Sequence, residues 1–354
     1  MKIALLTEYT EIGGGESNLL NLAQELSKNN NVTIFCGGKV QDEAKKRDLK
    51  TINFKTTRRW IKFIPLFSFY GKLQQELDKF DIVHAYSVNV LPLLISLNSK
   101  VIWTTHGFWE KPNGLKARII DKIVDKVICV STDVYNIADF NITKKEIIFL
   151  GTNFELIKTL DKTNIDKKNI HLVCIGRFQK IKGQDLLIDA LQIVANKYKN
   201  IIFNLSIVGD VNGDNTEDIE YKNNLYSQVE KNKYNNLIIK FEGFRSNVRH
   251  YILNSNIVVI PSRYESFSMV AIEAFSCAKP IIAPNVGGPK DIVNTRDIGV
   301  LFEAENIIDL ADKIIYAINY NFDYTKILER AKYFTIENQA KKHLNIYKEL
   351  LNEQ

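Results

Sequence analysis

Along the first half of the chain, short apolar runs alternate with stretches of helical spacing. KIALLT (residues 2–7) leads through a glycine turn into ESNLLNLAQELSKN (16–29), where apolar residues recur at helical intervals, and NVTIFCGG (31–38) follows. Further apolar runs are FDIVHAYS (80–87), SKVIWTTH (99–106) and DKVICVS (125–131). Short β-rich runs separated by helices predict parallel strands joined by crossover helices. Residues 1–155 are therefore expected to form one doubly wound domain. The polar stretch 156–169 carries no strand pattern and is the expected linker.

The pattern restarts with IHLVCIGRF (170–178), a helix from about Gln184 to Lys199, IIFNLSIVGD (201–210), LIIKFEGF (237–244), NIVVIPSR (256–263), a helix through Glu273, and KPIIAPNV (279–286). That predicts a second α/β domain over 170–334. A charged helical tail, 335–354, is expected to pack back toward the first domain. The fold class is thus α/β: two doubly wound, Rossmann-like domains facing each other across a cleft. In such sheets ligands bind beyond the carboxyl ends of the strands.

Composition narrows the partners more than the fold. A length of 354 residues suits two domains, and 45% hydrophobic with 25% charged residues excludes a disordered or fibrous chain. The net charge of +6 fits an anionic ligand or an acidic membrane surface, and is too small to argue for nucleic acid. Cys36, Cys129, Cys174 and Cys277 lack the spacing of a zinc knuckle or redox pair, so they read as core residues in a reducing compartment. No secretory segment precedes KIALLT, and no apolar run reaches the ~18 residues of a membrane span. The expected location is cytoplasmic, with at most a peripheral seat on the inner face of the membrane.

Candidate chemistry lies where strands end. Gly13-Gly14-Gly15-Glu16 after the first strand is either an ordinary tight turn or one whose N–H groups approach an anion. Gly176-Arg177-Phe178-Gln179-Lys180-Ile181-Lys182-Gly183 is either a solvated basic loop or a phosphate-binding one, with Arg supplying a planar fork and Lys a point charge. After NIVVIPSR, Glu265 is expected in a loop, Ser266, Phe267 and Ser268 at a helix start, and Glu273 about two turns on. Eight residues at ~1.5 Å rise separate the two carboxylates by ~12 Å. This is too far for an acid and nucleophile pair on one glycosidic bond. It suits two hydroxylated rings either side of a diphosphate that meets the free N–H groups of the helix start. The plainer reading makes Glu265 a cap and Glu273 a surface charge, although Glu273 sits in an apolar helix, where a charge needs a partner. His106 ends the strand VIWTT and is either structural or functional. The remaining histidines show no metal-ligand spacing, and no metal or cofactor is expected.

Taken together and in order, these segments resemble the retaining glycosyltransferases of family 4, which have the GT-B fold. The likeness runs through Gly176-Arg177, Lys182-Gly183, Gly209-Asp210, Glu242-Gly243-Phe244, Pro261-Ser262, Glu265-Ser266-Phe267, Glu273-Ala274, Lys279-Pro280 and Gly287-Gly288, with Gly13 to Glu16 and Thr105-His106-Gly107 in the first domain. It covers nearly the whole chain. It implies that Arg177 and Lys182 stabilise the departing nucleoside diphosphate in place of a cation. Glu265 would hold hydroxyls of the transferred sugar, and Glu273 those of the ribose. Phe267 and Ser268 would offer backbone N–H groups, with Gly14, Gly15, Gly176, Ser266 and Val270 also at the donor. The segment Gly243–Val248, with Gly243 and Phe244 at the donor, would border the base, and His106 would orient the sugar. Ser268 and Asp291 depart from the pattern, where glycine and glutamate are common.

The resemblance implies transfer with retention of a hexose or N-acetylhexosamine from a nucleotide sugar, with UDP-sugars favoured. The acceptor would lie on the first domain and be a saccharide or lipid-linked saccharide of bacterial surface-glycan assembly, such as lipopolysaccharide or capsule. The basic and aromatic stretch Lys55 to Tyr70 would either lie on an anionic bilayer or form a half-buried helix. The alternatives are a nucleotide-sugar epimerase of similar fold and a non-catalytic nucleotide-sugar-binding protein.

Overall fold

The computed structural model describes residues 1–54, 67–110, 115–137, 145–158, 166–231 and 234–352. It divides into two units, Met1–Asn153 with Phe334–Gln354, and Phe154–Tyr333.

The first unit is built on seven strands: β1 (Lys2–Leu6), β2 (Asn31–Cys36), β3 (Thr51–Asn53), β4 (Ile82–Ala85), β5 (Lys100–Thr105), β6 (Lys126–Cys129) and β7 (Lys145–Ile147). All pair in parallel, in the order β3-β2-β1-β4-β5-β6-β7. Its helices are α1 (Gly14–Ser27), α2 (Gly38–Lys46), α3 (Phe67–Leu77), α4 (Leu115–Ile123) and α5 (Thr132–Ile137). Covered on both faces, central strands must be apolar on both sides, and β1 is buried throughout after Lys2.

The second unit has six parallel strands: β8 (Asn169–Ile175), β9 (Ile202–Val208), β10 (Leu237–Gly243), β11 (Ile257–Val259), β12 (Ile281–Pro284) and β13 (Gly299–Phe302). Their order is β10-β9-β8-β11-β12-β13. Its helices are α6 (Gln184–Lys197), α7 (Thr216–Lys231), α8 (Val248–Leu253), α9 (Met269–Ser276), α10 (Pro289–Ile292), α11 (Ile307–Asn319) and α12 (Tyr324–Tyr333).

The chain then rejoins the first unit in α13 (Ile336–Asn352). This charged helix buries Ile336, Ala340, Ile346, Tyr347 and Leu350 in one cluster with Leu19, Leu22 and Ala23 of α1. Polar contacts fix its seat. Asn18 Nδ2 donates to Gly151 O and to Gln339 Oε1, both at 2.8 Å, and Tyr347 Oη lies 2.7 Å from His84 Nδ1.

Three details depart from the sequence expectation. The stretch taken as a linker over 156–169 already belongs to the second unit where it is described: Ile157 N donates to Ser276 O at 3.1 Å, and Asn169 opens β8. The helix expected to reach Lys199 stops at Lys197, because Tyr198 leaves helical geometry. Strands β3, β7 and β13 were not foreseen. They are three or four residues long and lie at sheet edges, too short for a period-two pattern to show. Among the described residues no helix is long and apolar enough to cross a membrane.

In each sheet the winding reverses once, between β1 and β4 and between β8 and β11. A doubly wound sheet leaves a crevice beyond the carboxyl ends of those two strands, where ligands bind.

Candidate active site

In the second unit, the loops after β8 and β11 lie against each other at the reversal. Gly183 opens α6, and a Cβ there would stand 2.1 Å from Pro261 O, so only glycine permits this approach. Lys182 Nζ is 2.8 Å from Glu265 Oε2, and Ser262 Oγ donates to the same oxygen at 3.2 Å. The basic loop and the first glutamate, 83 residues apart in sequence, therefore share one contact.

A brace behind this pair holds the two loops together. Arg263 grips Asp185 with both arms, Nη1 to Oδ1 at 2.9 Å and Nη2 to Oδ2 at 2.7 Å, and also donates to Lys180 O at 2.6 Å. Arg263 N donates to Ile181 O at 2.8 Å, and Tyr221 Oη donates to Asp185 Oδ1 at 2.7 Å. Burial opposes ionisation of Asp185, but the hydrogen bonds from Arg263 and Tyr221 outweigh it and hold its carboxyl below the usual range. Gln184 Nε2 donates to Arg177 O at 2.9 Å, fixing the backbone of the basic loop while the Arg177 side chain is exposed.

The turn into α9 places Ser266 and Phe267 before Ser268, which caps the helix with Oγ accepting from Ala271 N at 3.4 Å. Ser268 has φ 95°, a conformation that favours glycine, which explains physically why serine is a departure there. Phe267 is buried, while Met269 and Val270 are half-buried at the helix start. Four residues beyond Met269, Glu273 is half-buried, and burial pushes its carboxyl up to about 7. The partner expected for it from sequence is not found. No hydrogen bond or ion pair reaches its carboxylate among the described residues, so partial protonation takes the place of pairing.

That shift has a measurable consequence. A carboxyl raised in the folded state holds a proton that the unfolded chain releases above its ordinary value of 4.5. Its contribution to stability is full below about 4.5, falls as pH rises, and is lost above about 7. Chemical denaturation of Glu273→Gln from pH 4.5 to 8 should show a total loss of stability smaller than the parent's by up to about 3 kcal/mol. Parallel curves would exclude the burial account.

At the far side of this sheet β10 ends in Glu242-Gly243, followed by Phe244, which is 76% exposed. Tyr251 Oη donates to Glu242 Oε2 at 3.0 Å and accepts from Arg245 Nε at 3.2 Å. The segment is ordered by its own polar contacts and leaves the Phe244 ring to solvent.

In the first unit, α1 begins at Gly14, capped by Gly13, whose N–H donates to Glu16 Oε2 at 3.0 Å. A Cβ on Gly15 would stand 3.7 Å from His106 Cε1. The glycine turn and the histidine, from different loops, are thus neighbours. His106 N donates to Glu110 Oε2 at 2.6 Å. Burial lowers the His106 imidazole to about 4, and burial also raises the Glu110 carboxyl to about 8. Near pH 7 the imidazole is neutral and the carboxyl largely protonated.

The sequence assigned no role to Ser262, Arg263, Asp185, Gln184 or Glu110. Arg263 lies four residues past the end of β11, and Asp185 is in the first turn of α6; these positions were the available signals. Residues 55–66 of the expected membrane-facing stretch lie outside the described residues.

Residues 157–335 match the family Glycosyl transferases group 1, and residues 12–148 match Glycosyltransferase Family 4. An uncharacterized glycosyltransferase of Methanocaldococcus jannaschii is 28% identical, over 97% of this chain and 96% of that one. The O-antigen biosynthesis glycosyltransferase WclY of Escherichia coli is 23% identical, over 100% and 99% of the two chains. The solved structure of HepE from Anabaena in complex with UDP superposes with TM-score 0.81 at 20% identity, covering 99% of this chain and all of that one; the same protein has been solved with UDP-glucose. These likenesses establish two parallel-sheet, Rossmann-like units of the GT-B class. The match over the second unit, with the first unit matched alongside it, makes this chain a member of the glycosyl transferases group 1, and hence a glycosyltransferase.

Proposed function

We propose that the protein transfers a hexose or N-acetylhexosamine from a UDP-sugar to a saccharide or lipid-linked saccharide, with retention and without a metal ion, in surface-glycan assembly. The observation that carries this reading is the Lys182–Glu265 contact of 2.8 Å at the winding reversal of the second sheet. It brings a cation and a carboxylate together where α9 begins. The UDP and UDP-glucose complexes of HepE and the O-antigen role in the name of WclY support the donor and the pathway class.

In this reading the diphosphate lies across the start of α9. Arg177, Lys182 and the N–H groups near Phe267 and Ser268 stabilise the negative charge that grows on the leaving phosphate as the glycosidic bond lengthens. Glu265 accepts hydrogen bonds from hydroxyls of the transferred sugar. Glu273 accepts from the ribose, which gives its carboxylate the partner it lacks among the described residues. His106, as neutral imidazole beside Gly15, orients the sugar. The acceptor hydroxyl attacks from the leaving group's side, and the departing phosphate takes its proton. The stretch 55–70 rests on the anionic inner face of the membrane, where lipid-linked acceptors are presented.

Incubation with UDP-, GDP- and ADP-sugars in excess EDTA tests the reading. One UDP-sugar should be hydrolysed slowly, and transferred when acceptor is present, with the product anomer matching the donor by NMR. Turnover restored only by a divalent cation would sink the metal-free assignment. An inverted anomer would sink retention.

A further inference from the structure

The layer of the first unit that lies under α13 changes character along its strands. Alternate residues of a strand share a face. On β4 that face carries Ile82 and His84 and continues to Tyr86; on β5 it carries Ile102 and Thr104 and continues to His106. Ile82, Ile102 and Tyr86 join Tyr347 of α13 in one buried cluster. His343 and Tyr347, four residues apart, share one side of that helix. The layer is therefore apolar at Ile82 and Ile102 and turns polar toward the carboxyl ends of the strands, while staying buried.

The polar part forms a chain of rings. His84 Nδ1 lies 2.7 Å from Tyr347 Oη, and His84 Nε2 lies 2.7 Å from Thr104 Oγ1, so both nitrogens of this ring are tied. The Tyr86 ring stands 4.7 Å from that of His84, and the His106 ring 5.9 Å from that of Tyr86. Aromatic rings at such spacings are in contact, and each limits the rotation of the next. His106 itself is bonded only through its backbone N among the described residues. Its imidazole is held by packing, between the Gly15 turn and Tyr86.

This arrangement costs stability. The Tyr86 hydroxyl and His343 Nε2 are buried without a hydrogen-bond partner among the described residues, and each such group costs about 1–3 kcal/mol. Seating α13 alone calls for apolar residues, as at Ile82 and Ile102. We propose that Tyr86 is a positioning residue for His106, and that α13 holds Tyr86 in place through Tyr347 and His84. The proposal rests on the transferase reading above, in which His106 orients the sugar. Displacing an orienting group by about 1 Å costs up to about 100-fold in rate, and loosening one link of the chain costs part of that.

The full chain labelled with 13C-histidine tests the links, with the His106 ring signals assigned by their loss in His106→Ala. Tyr347→Phe removes one oxygen and Tyr86→Leu removes a ring. Both should shift the His106 signals, while calorimetry finds UDP binding within about twofold of the parent. With the donor KM likewise within about twofold, kcat should fall about threefold in Tyr347→Phe and about tenfold in Tyr86→Leu. The double variant should be no slower than Tyr86→Leu, because both changes act along one route. The conservative Tyr86→Phe keeps the ring and should rescue most of the rate. Should Tyr86→Leu fail to fold, the two single-oxygen deletions still decide the matter. Unmoved His106 signals in Tyr347→Phe, additive losses in the double variant, or a Tyr86→Phe as slow as Tyr86→Leu would overturn the proposal. Shifted signals with no turnover of any nucleotide sugar would instead count against the transferase reading and leave the positioning chain standing.

Discussion

Lys182→Ala should lower kcat/KM by about 10²–10³-fold while shifting the melting temperature by no more than about 2–4 °C. The two numbers differ because the side chain does two different jobs. In the free protein Lys182 pairs with Glu265 at 2.8 Å, with the two side chains 27% and 15% exposed. A pair this accessible is worth about 1 kcal/mol or less to folding. During transfer the same ammonium faces charge that develops on the leaving phosphate, and a pre-placed donor at such a point is worth about 3–4 kcal/mol. Glu265→Ala should also remove most turnover, but with the opposite effect on product affinity. Loss of the carboxylate frees Lys182 from its resting partner, so UDP should bind as tightly as before or more tightly, whereas Lys182→Ala weakens it. Steady-state kinetics and UDP calorimetry on both variants separate the roles. Full turnover in either variant would refute the site, and weakened UDP binding in Glu265→Ala would refute the competition between carboxylate and phosphate.

Gly287→Ala should destabilise the second unit by about 4 kcal/mol, lowering the melting temperature by about 10 °C, and should depress turnover in the molecules that remain folded. Gly287 has φ 63°, and a Cβ there would lie 1.9 Å from Glu265 O. The obstacle is backbone rather than the end of a flexible side chain, so relief requires moving the turn that carries Glu265. That movement also breaks the hydrogen bond from Gly288 N to Glu265 O, now 3.0 Å. Gly213 supplies the control. Its φ is 72°, yet a Cβ there would meet nothing within 4 Å. Gly213→Ala should cost only the strain of left-handed backbone, about 1 kcal/mol, with turnover unchanged. Calorimetric scans of the two variants compare close approach with backbone strain alone. Equal shifts would show that the contact with Glu265 is immaterial.

The central strands were legible in the chain because a parallel strand covered on both faces must be apolar throughout, and runs such as Ile3 to Leu6 and Val127 to Cys129 stand out against polar neighbours. The edge strands β3, β7 and β13 were not, since three or four residues carry too little pattern. Helix starts and ends followed from spacing to within a few residues, and the residues after strand ends supplied candidates of which the structure brings Lys182 to Glu265 and Gly15 beside His106.

What the sequence by itself determined, then, is the list of chemical groups and the strands that deliver them, because local periodicity and loop composition are properties of adjacent residues. Tertiary structure alone decided which groups meet and in what state. The Lys182–Glu265 contact joins positions 83 residues apart, and the Arg263–Asp185 brace joins positions 78 apart. Neither can be read locally, because sheet order, set by crossovers, chooses the neighbours. The charge states were equally hidden. Glu273 and Glu110 look like ordinary carboxylates in the sequence, and only burial, a sum over surrounding atoms from many segments, moves them toward neutrality.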